Sequence, residues 1–145
     1  MRIIVEANIP YIRGLLEKFG DVAYLPASGI TADAVQRADA LFVRTRTRCD
    51  ASLLDGSSVK FIATATIGTD HIDLQWCRGA GIDVANAPGC NAPAVAQYVH
   101  AVIGSRFGGD VRGLTLGVVG VGHVGGIVAR WGERLGMRVL RCDPP

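Results

Sequence analysis

The sequence has no long apolar run, no marked excess of charge of either sign and no C-x-x-C pair. No apolar stretch approaches the roughly 20 residues that a membrane-spanning helix needs, and the first apolar run, Ile3–Val5, is too short for a signal peptide. The 15 basic and 13 acidic residues leave a net charge of +2, which does not indicate nucleic acid or a membrane surface as a partner. We therefore expect a soluble, cytoplasmic protein that binds neither.

Patterns of metal ligands are equally scarce. No histidine lies at metal-ligand spacing from any of the four cysteines, which are Cys49, Cys77, Cys90 and Cys142. We predict no metal site and expect the cysteines to be buried, reduced thiols. The composition is mainly apolar, because hydrophobic residues make up 49% of the chain and 19 glycines add to them. We therefore expect most strands to be buried on both faces.

Short β-branched segments alternate with helical patterns in the first part of the chain. Five segments predict strands: Ile3–Val5, Val22–Leu25, Ala40–Val43, Lys60–Ala63 and Ile82–Ala85. Four helices are predicted between them: Pro10–Phe19, Thr31–Ala38, the stretch that Asp50 caps and Gly56 closes, and Asp73–Gly79. This alternation predicts an α/β fold with a flavodoxin-like parallel sheet covered on both faces.

A second alternation follows the turn-rich joint Asn86–Asn91. We predict a helix over Ala92–Ile103, with Val95 on its apolar face together with Val99 and Ile103, and then a linker over Gly104–Asp110. The remaining elements are a strand at Leu116–Val119, a helix at His123–Leu135 and a strand at Val139–Cys142. They predict the first β-α-β unit of a Rossmann-type domain. The predicted domains are therefore residues 1–92 and residues 93–145, the latter comprising an interdomain helix and the start of a dinucleotide-binding domain.

Three glycines stand at G-x-G-x-x-G spacing directly after a predicted strand, where the next helix begins: Gly120, Gly122 and Gly125. Gly120 permits the tight turn, and Gly122 lets a pyrophosphate approach the backbone. Gly125 allows the helix to pack closely on the strand. The N–H groups at the start of the helix, including those of His123 and Val124, would receive the phosphate charge.

An acidic residue completes this pattern. Asp143 ends the following strand, where a carboxylate accepts hydrogen bonds from ribose hydroxyls and repels a 2′-phosphate. The pattern therefore predicts NAD rather than NADP as the cofactor. Two alternatives stay open, namely a purely structural turn and the glycine-rich turn of a methyltransferase.

Two further polar segments follow predicted strands. In Arg44–Arg48 the alternation of an extended chain would place three arginines on one side, either as a subsite for a carboxylate or phosphate or as a solvated basic edge. Thr64–Asp73 offers hydroxyls and backbone N–H groups to a ligand, although several of its residues are ordinary caps for the next helix. Within it, His71 is more typical of a structural histidine than of a general base.

Taken together, these segments resemble the D-isomer-specific 2-hydroxyacid dehydrogenases. The resemblance rests on six segments: Asn8–Tyr11, Val43–Thr45, Ala63–Asp73, Ala87–Ala92, Gly117–Gly125 and Cys142–Pro145. It implies a two-domain, NAD-dependent enzyme that is usually a homodimer and oxidises a small hydroxy acid at its 2-hydroxyl. It also implies that Thr45 and Thr66 bind a phosphorylated substrate and that Asp143 contacts NAD.

The strings Thr69–Asp73 and Ala87–Ala92 are typical of the family member that oxidises a phosphorylated sugar acid in pyridoxal phosphate biosynthesis. Relatives that act on 3-phosphoglycerate or lactate usually differ there. The family's catalytic arginine, acid and histidine have no counterparts here, so we assign no catalytic residue and expect no turnover from this chain alone. The alternatives are another 2-hydroxyacid dehydrogenase, such as one acting on 3-phosphoglycerate, and a non-catalytic nucleotide-binding remnant.

Overall fold

A computed structural model describes residues 1–143 of the chain. It divides into two compact units, the first being Met1–Pro88 and the second beginning at Gly89. The domain boundary proposed from the sequence lies slightly later, between residues 92 and 93. Residues 144 and 145, which end the second predicted domain and the Cys142–Pro145 segment, lie outside the described part.

The first unit contains a five-stranded sheet. Its strands are β1 (Arg2–Glu6), β2 (Asp21–Leu25), β3 (Ala40–Val43), β4 (Phe61–Thr64) and β5 (Asp83–Ala85). All neighbouring strands are parallel and their order is β2-β1-β3-β4-β5. This is the flavodoxin-like order, so the predicted fold class is confirmed.

Three short helices of the first unit begin at side-chain caps. They are α1 (Ala32–Val35), α2 (Ala51–Leu54) and α3 (Leu74–Gly79). Thr31 accepts a hydrogen bond from the N–H of Ala34, and Asp50 and Asp73 cap α2 and α3 in the same way. Because such a cap satisfies backbone N–H groups that the helix leaves unpaired, it sets the start of a helix locally. The predicted starts are confirmed, although α1 ends earlier than predicted.

The predicted helix over Pro10–Phe19 is wrong. Tyr11 adopts a φ of +59° and Gly14 one of +83°, and residues in the left-handed region interrupt an α-helix. The segment forms successive turns, in which Leu15 N–H donates to Ile12 O and Phe19 N–H to Leu16 O. Its apolar spacing still serves packing, because Ile12 and Leu16 lie against the sheet.

The core of the first unit lies on both faces of the sheet. One face packs against the three helices through Ile4, Leu41, Val43 and Ile62, among others. The opposite face carries Ile3, Val5, Ile9 and Ala40. Successive residues of a strand point to opposite faces, which is why these strands are apolar throughout.

The second unit has two helices and two strands. They are α4 (Ala92–Arg106), β6 (Thr115–Val119), α5 (His123–Arg134) and β7 (Arg138–Cys142), and β6 pairs with β7 in parallel. The predicted β-α-β unit is therefore present. Between α4, α5 and β6 lies an apolar interior to which Val128 and Trp131 contribute.

Two predictions about α4 need correction. The helix continues through Gly104 to Arg106, so the first residues of the predicted linker are helical. Its buried residues are Ala92 and Ala96, whereas Val95 is exposed. Small side chains on this face allow α4 to approach α5, and the His100 ring lies against Trp131 with ring centroids 5.4 Å apart and ring planes tilted by 56°.

Within residues 1–143, no helix is both long enough and apolar enough to cross a membrane.

Candidate functional site

The glycine turn joins β6 to α5. Gly120 has a φ of +85°, which only glycine adopts readily, and its N–H donates to Cys142 O of the neighbouring strand. Gly122 occupies the N-cap position of α5, where no side chain caps the helix and no acidic residue lies in the first turn. The N–H groups at this helix start, including those of His123 and Val124, therefore have the character of an anion-binding site.

Gly122 and Gly125 have opposite surroundings. A Cβ atom at Gly125 would collide with the carbonyl of Gly120 and would lie 3.1 Å from Val118 Cγ1. A Cβ atom at Gly122 would meet no atom within 4 Å. Gly125 thus permits close packing of helix on strand, and Gly122 borders open space, as the predicted approach of a phosphate to the backbone requires.

Asp143 lies next to the glycine turn. Its Oδ1 accepts a hydrogen bond of 2.7 Å from the N–H of Val121, which connects the end of β7 to the turn after β6. The carboxylate is exposed and has a second oxygen. The residues predicted to hold the cofactor are therefore brought together at one end of the β-α-β unit.

A contact that the sequence pattern did not predict lies in the same unit. Gly89 has a φ of +77° and its backbone lies directly against the ring of His123, where a Cβ atom would collide with the ring. The residues at the start of the second unit therefore contact the glycine turn. The sequence held one signal for this contact: Gly89 belongs to the Ala87–Ala92 segment, on which the family resemblance partly rests.

In the first unit, the segment Arg44–Arg48 is a turn rather than an extended strand. Thr47 N–H donates to Arg44 O, and the Thr47 side chain is buried. The alternation predicted for the three arginines is therefore wrong. Arg44 donates to Asn8 O at 3.1 Å, and Arg48 forms an ion pair with Asp50 at 2.7 Å.

A buried carboxylate holds this turn. Glu6, at the end of β1, is only 1% exposed, and its Oε2 accepts hydrogen bonds from Arg44 N–H (2.9 Å) and Thr47 Oγ1 (3.3 Å). Sequence reasoning missed Glu6, because an acid that ends an apolar strand normally faces solvent. Here it satisfies polar groups of a loop that crosses the end of the sheet.

A second polar network follows β4. Thr64 is buried, and its Oγ1 lies 2.6 Å from Thr66 Oγ1 and 3.0 Å from His71 Nε2. Thr66 Oγ1 donates to Gly68 O at 3.0 Å. Burial lowers the pKa of His71 below its ordinary value, although the nearby charges of Asp70 and Glu6 oppose that shift. His71 is therefore a neutral, hydrogen-bonded ring near pH 7, in line with its predicted structural role.

These two loops border one open cleft of about 480 Å³. Its lining residues are Thr45, Arg46, Arg48, Gly68, Asp70 and His71. Thr45 thus lies at the cleft, and Thr66 is connected to it through its hydrogen bond to Gly68. Arg46 and the Thr45 hydroxyl suit this polar cleft to a small anion, although Asp70 also lines it and Arg48 is already paired with Asp50.

The cysteines do not all follow the prediction. Cys49 and Cys77 are buried, but Cys90 and Cys142 are exposed, and all four are free thiols. Burial raises the pKa of Cys49 to about 12 and also raises that of Cys77. In the part of the chain that the structure describes, no group of three or more His, Cys, Asp or Glu residues is arranged to hold a metal ion.

Relatives of known identity share this sequence along its whole length. The chain is 52% identical over 149 residues to erythronate-4-phosphate dehydrogenase of Bacteroides fragilis, covering 100% of this chain and 43% of that protein. It is 47% identical over 148 residues to the protein of the same name from Klebsiella pneumoniae, covering 100% of this chain and 39% of that one. The chain thus spans less than half the length of the curated relatives it matches.

Solved structures resemble the fold. TT0316 protein from Thermus thermophilus matches with a TM-score of 0.78 and 29% identity, covering 100% of this chain and 57% of that one. The NAD⁺-bound 3-phosphoglycerate dehydrogenase of Entamoeba histolytica matches with a TM-score of 0.76 and 29% identity, covering 99% and 54%. A family model described as the catalytic domain of D-isomer specific 2-hydroxyacid dehydrogenases matches residues 3–131. This chain therefore belongs to the D-isomer specific 2-hydroxyacid dehydrogenase family.

Proposed function

We propose that this chain is part of an NAD-dependent dehydrogenase that oxidises 4-phospho-D-erythronate to the 2-oxo acid in pyridoxal phosphate biosynthesis. The observation that carries the proposal is the glycine turn, where an uncapped helix start, the open space at Gly122 and the carboxylate of Asp143 lie together. The choice of substrate is supported by the erythronate-4-phosphate dehydrogenases that match the whole chain. We further propose that the full-length protein is a cytoplasmic homodimer.

The proposed cofactor-binding residues lie in the second unit. Gly120, Gly122 and Gly125 shape the turn, and the N–H groups of His123 and Val124 would bind the pyrophosphate. Asp143 Oδ1 already accepts a hydrogen bond from Val121 N–H. The other carboxylate oxygen, Oδ2, would accept hydrogen bonds from the adenosine ribose. When bound, NAD supplies the hydride acceptor of the reaction.

The proposed substrate-binding residues lie in the first unit. Thr45 and Arg46 line the cleft and would contact the anionic groups of the substrate. Thr66, which is hydrogen-bonded to the lining residue Gly68, would also contact the substrate. We assign no catalytic base in this chain. His71 is unsuited to that role, because its Nε2 is engaged by Thr64 and burial already lowers its pKa.

Titration of the chain with cofactors and substrates tests the proposal. We expect NAD to shift the amide resonances of Gly120–Gly125 and Asp143, and NADP to bind more weakly because the carboxylate repels its 2′-phosphate. Binding of NADP as tight as that of NAD would contradict the assignment of Asp143. Asp143→Asn is the matched variant, since it removes the charge, keeps the shape and should narrow the difference between the two cofactors.

A second substrate calls for a direct comparison. The likeness to a 3-phosphoglycerate dehydrogenase structure favours 3-phosphoglycerate as the alternative. Resonances of Thr45, Arg46 and Thr66 should respond to 4-phospho-D-erythronate at lower concentration than to 3-phosphoglycerate. The reverse order would replace the proposed substrate by the alternative.

A further inference from the structure

Three side chains next to the cleft form an unbroken hydrogen-bonded row. His71 Nε2 lies 3.0 Å from Thr64 Oγ1, and Thr64 Oγ1 lies 2.6 Å from Thr66 Oγ1. Thr66 Oγ1 lies 3.0 Å from Gly68 O. These distances do not by themselves say which atom carries each proton, but the inventory of donors and acceptors does.

The direction of the row follows from its last member. Gly68 O is a carbonyl and only accepts, so Thr66 must donate its single hydroxyl proton to it. Thr66 has no second proton, and therefore Thr64 must donate at the contact between the two threonines. Thr64 has then used its own proton, so His71 must donate from Nε2. All protons thus point from His71 through Thr64 and Thr66 to Gly68 O.

The opposite arrangement is unfavourable. If Thr66 donated to Thr64, the lone pairs of Thr66 Oγ1 and Gly68 O would face each other at 3.0 Å. Thr64 would keep both of its hydrogen bonds, to Thr66 Oγ1 and to His71 Nε2, so the whole loss would fall on the contact between Thr66 Oγ1 and Gly68 O. His71 is also held by its backbone, whose carbonyl accepts from Cys49 N–H at 2.8 Å.

We infer that Thr64 and His71 are positioning residues that fix Thr66 as a hydrogen-bond acceptor, so that Thr66 contacts a hydroxyl group of the substrate and not its phosphate or carboxylate. The inference rests on the proposed function, in which Thr66 contacts the substrate. An oxygen that presents only a lone pair repels an anion and binds an O–H donor. The anionic groups are then left to Arg46 and Thr45. The row persists when His71 is protonated, because the imidazolium also carries a proton on Nε2.

The tautomer of His71 tests the row without any substrate. Nitrogen-15 NMR of the 145-residue chain above the pKa of His71 should show the proton on Nε2. Thr64→Val, which keeps the shape and removes the acceptor, should shift the ring toward a mixture of tautomers, whereas the control Thr69→Val should not. A neutral ring protonated on Nδ1 in the unsubstituted chain would overturn the inference, whether or not Thr64→Val folds.

The choice of substrate group is tested by two ligands, 4-phospho-D-erythronate and inorganic phosphate. Thr66→Val should weaken binding of the hydroxy acid about tenfold, the usual effect of one lost hydrogen bond, and leave binding of phosphate unchanged. An equal loss for both ligands would mean that Thr66 contacts the phosphate and would overturn the inference. Failure of the unsubstituted chain to bind 4-phospho-D-erythronate would overturn both the proposed function and the proposed substrate contact. The direction of the hydrogen bonds would still be tested separately by the tautomer of His71.

Discussion

At the glycine turn, the space available for a single Cβ atom distinguishes a glycine needed for folding from one that borders the proposed ligand site. Gly125 has no room for a Cβ atom because the carbonyl of Gly120 occupies that place, whereas Gly122 faces open space. The same motif spacing therefore contains one glycine needed for packing and one that borders the proposed ligand site. This difference in surroundings could be predicted from the motif, since it depends on backbone geometry within a few residues.

A pair of alanine variants tests this division. Gly125→Ala should lower the free energy of unfolding of the second unit by about 1–3 kcal/mol, because the helix must move away from the strand. Gly122→Ala should leave stability nearly unchanged and weaken NAD binding, since the methyl group occupies the space proposed for the pyrophosphate. Urea denaturation and NAD titration measure the two effects. Equal stability of both variants would contradict the packing role of Gly125.

The four cysteines differ in reactivity for a physical reason. Cys90 and Cys142 are exposed, whereas Cys49 is fully buried and burial raises its pKa to about 12. The nucleophile is the thiolate, and a thiol whose pKa lies that high is almost entirely protonated near pH 8.

We therefore expect a thiol reagent at pH 8 to label Cys90 and Cys142 rapidly and to reach Cys49 and Cys77 only on unfolding. Peptide mass spectrometry at successive times identifies the labelled positions, and the chain in urea provides the control. Rapid labelling of Cys49 in the native chain would show that the core of the first unit opens readily.

At the scale of elements, the capped helix starts were predictable, but the backbone path over Pro10–Phe19 was not. The caps Thr31, Asp50 and Asp73 act within three residues of themselves, so the local sequence contains all that they need. The apolar spacing over Pro10–Phe19 also fits a helix, yet the left-handed conformation of Tyr11 breaks it. Periodicity reports which residues are to be buried, and the neighbouring sheet decides the backbone path that buries them.

The turn over Arg44–Arg48 depends in the same way on a distant residue. Glu6 binds Arg44 N–H and Thr47 Oγ1 from the end of another strand. Replacing it by leucine leaves the part-buried N–H of Arg44 and the buried hydroxyl of Thr47 without their acceptor, which costs up to about 1–3 kcal/mol per group.

Glu6→Leu should therefore destabilise the first unit and speed amide exchange at Arg44 and Thr47. Glu6→Gln, which keeps one acceptor oxygen, should retain most of the stability, and Glu17→Gln on the surface is the control. Urea denaturation and hydrogen exchange measure both effects. Unchanged exchange at Arg44 in Glu6→Leu would show that the turn holds itself without the carboxylate.

At the scale of the whole molecule, the two units differ in how much of the apolar surface of their sheets is buried. The five-stranded sheet has apolar clusters on both faces. The two-stranded sheet of the second unit leaves Val119 79% and Leu140 50% exposed. Sheets of two strands are marginal by themselves, and exposed apolar edges favour association.

We expect the 145-residue chain to associate as its concentration rises, and the amides of β6 and β7 to exchange faster than those of β1, β3 and β4. The double variant Val119→Thr, Leu140→Thr should reduce association, whereas Leu74→Thr, an exposed leucine on the first unit, should not. Sedimentation velocity at several concentrations gives the measurement. A chain that stays monomeric at all concentrations with slowly exchanging β6 and β7 would contradict the expectation.

The α/β class, the alternation of strands and helices, the helix caps and the glycine turn with its acid could all be predicted from the amino-acid sequence. Each of these depends on residues close together in the chain or on a period of two or 3.6 residues. Three contacts became visible only in the folded chain: Glu6 anchors the arginine turn, Gly89 meets His123, and His71, Thr64, Thr66 and Gly68 form one hydrogen-bonded row. Such contacts are set by the packing of separate strands and loops, because a buried polar group takes whichever partner the fold brings within hydrogen-bond distance.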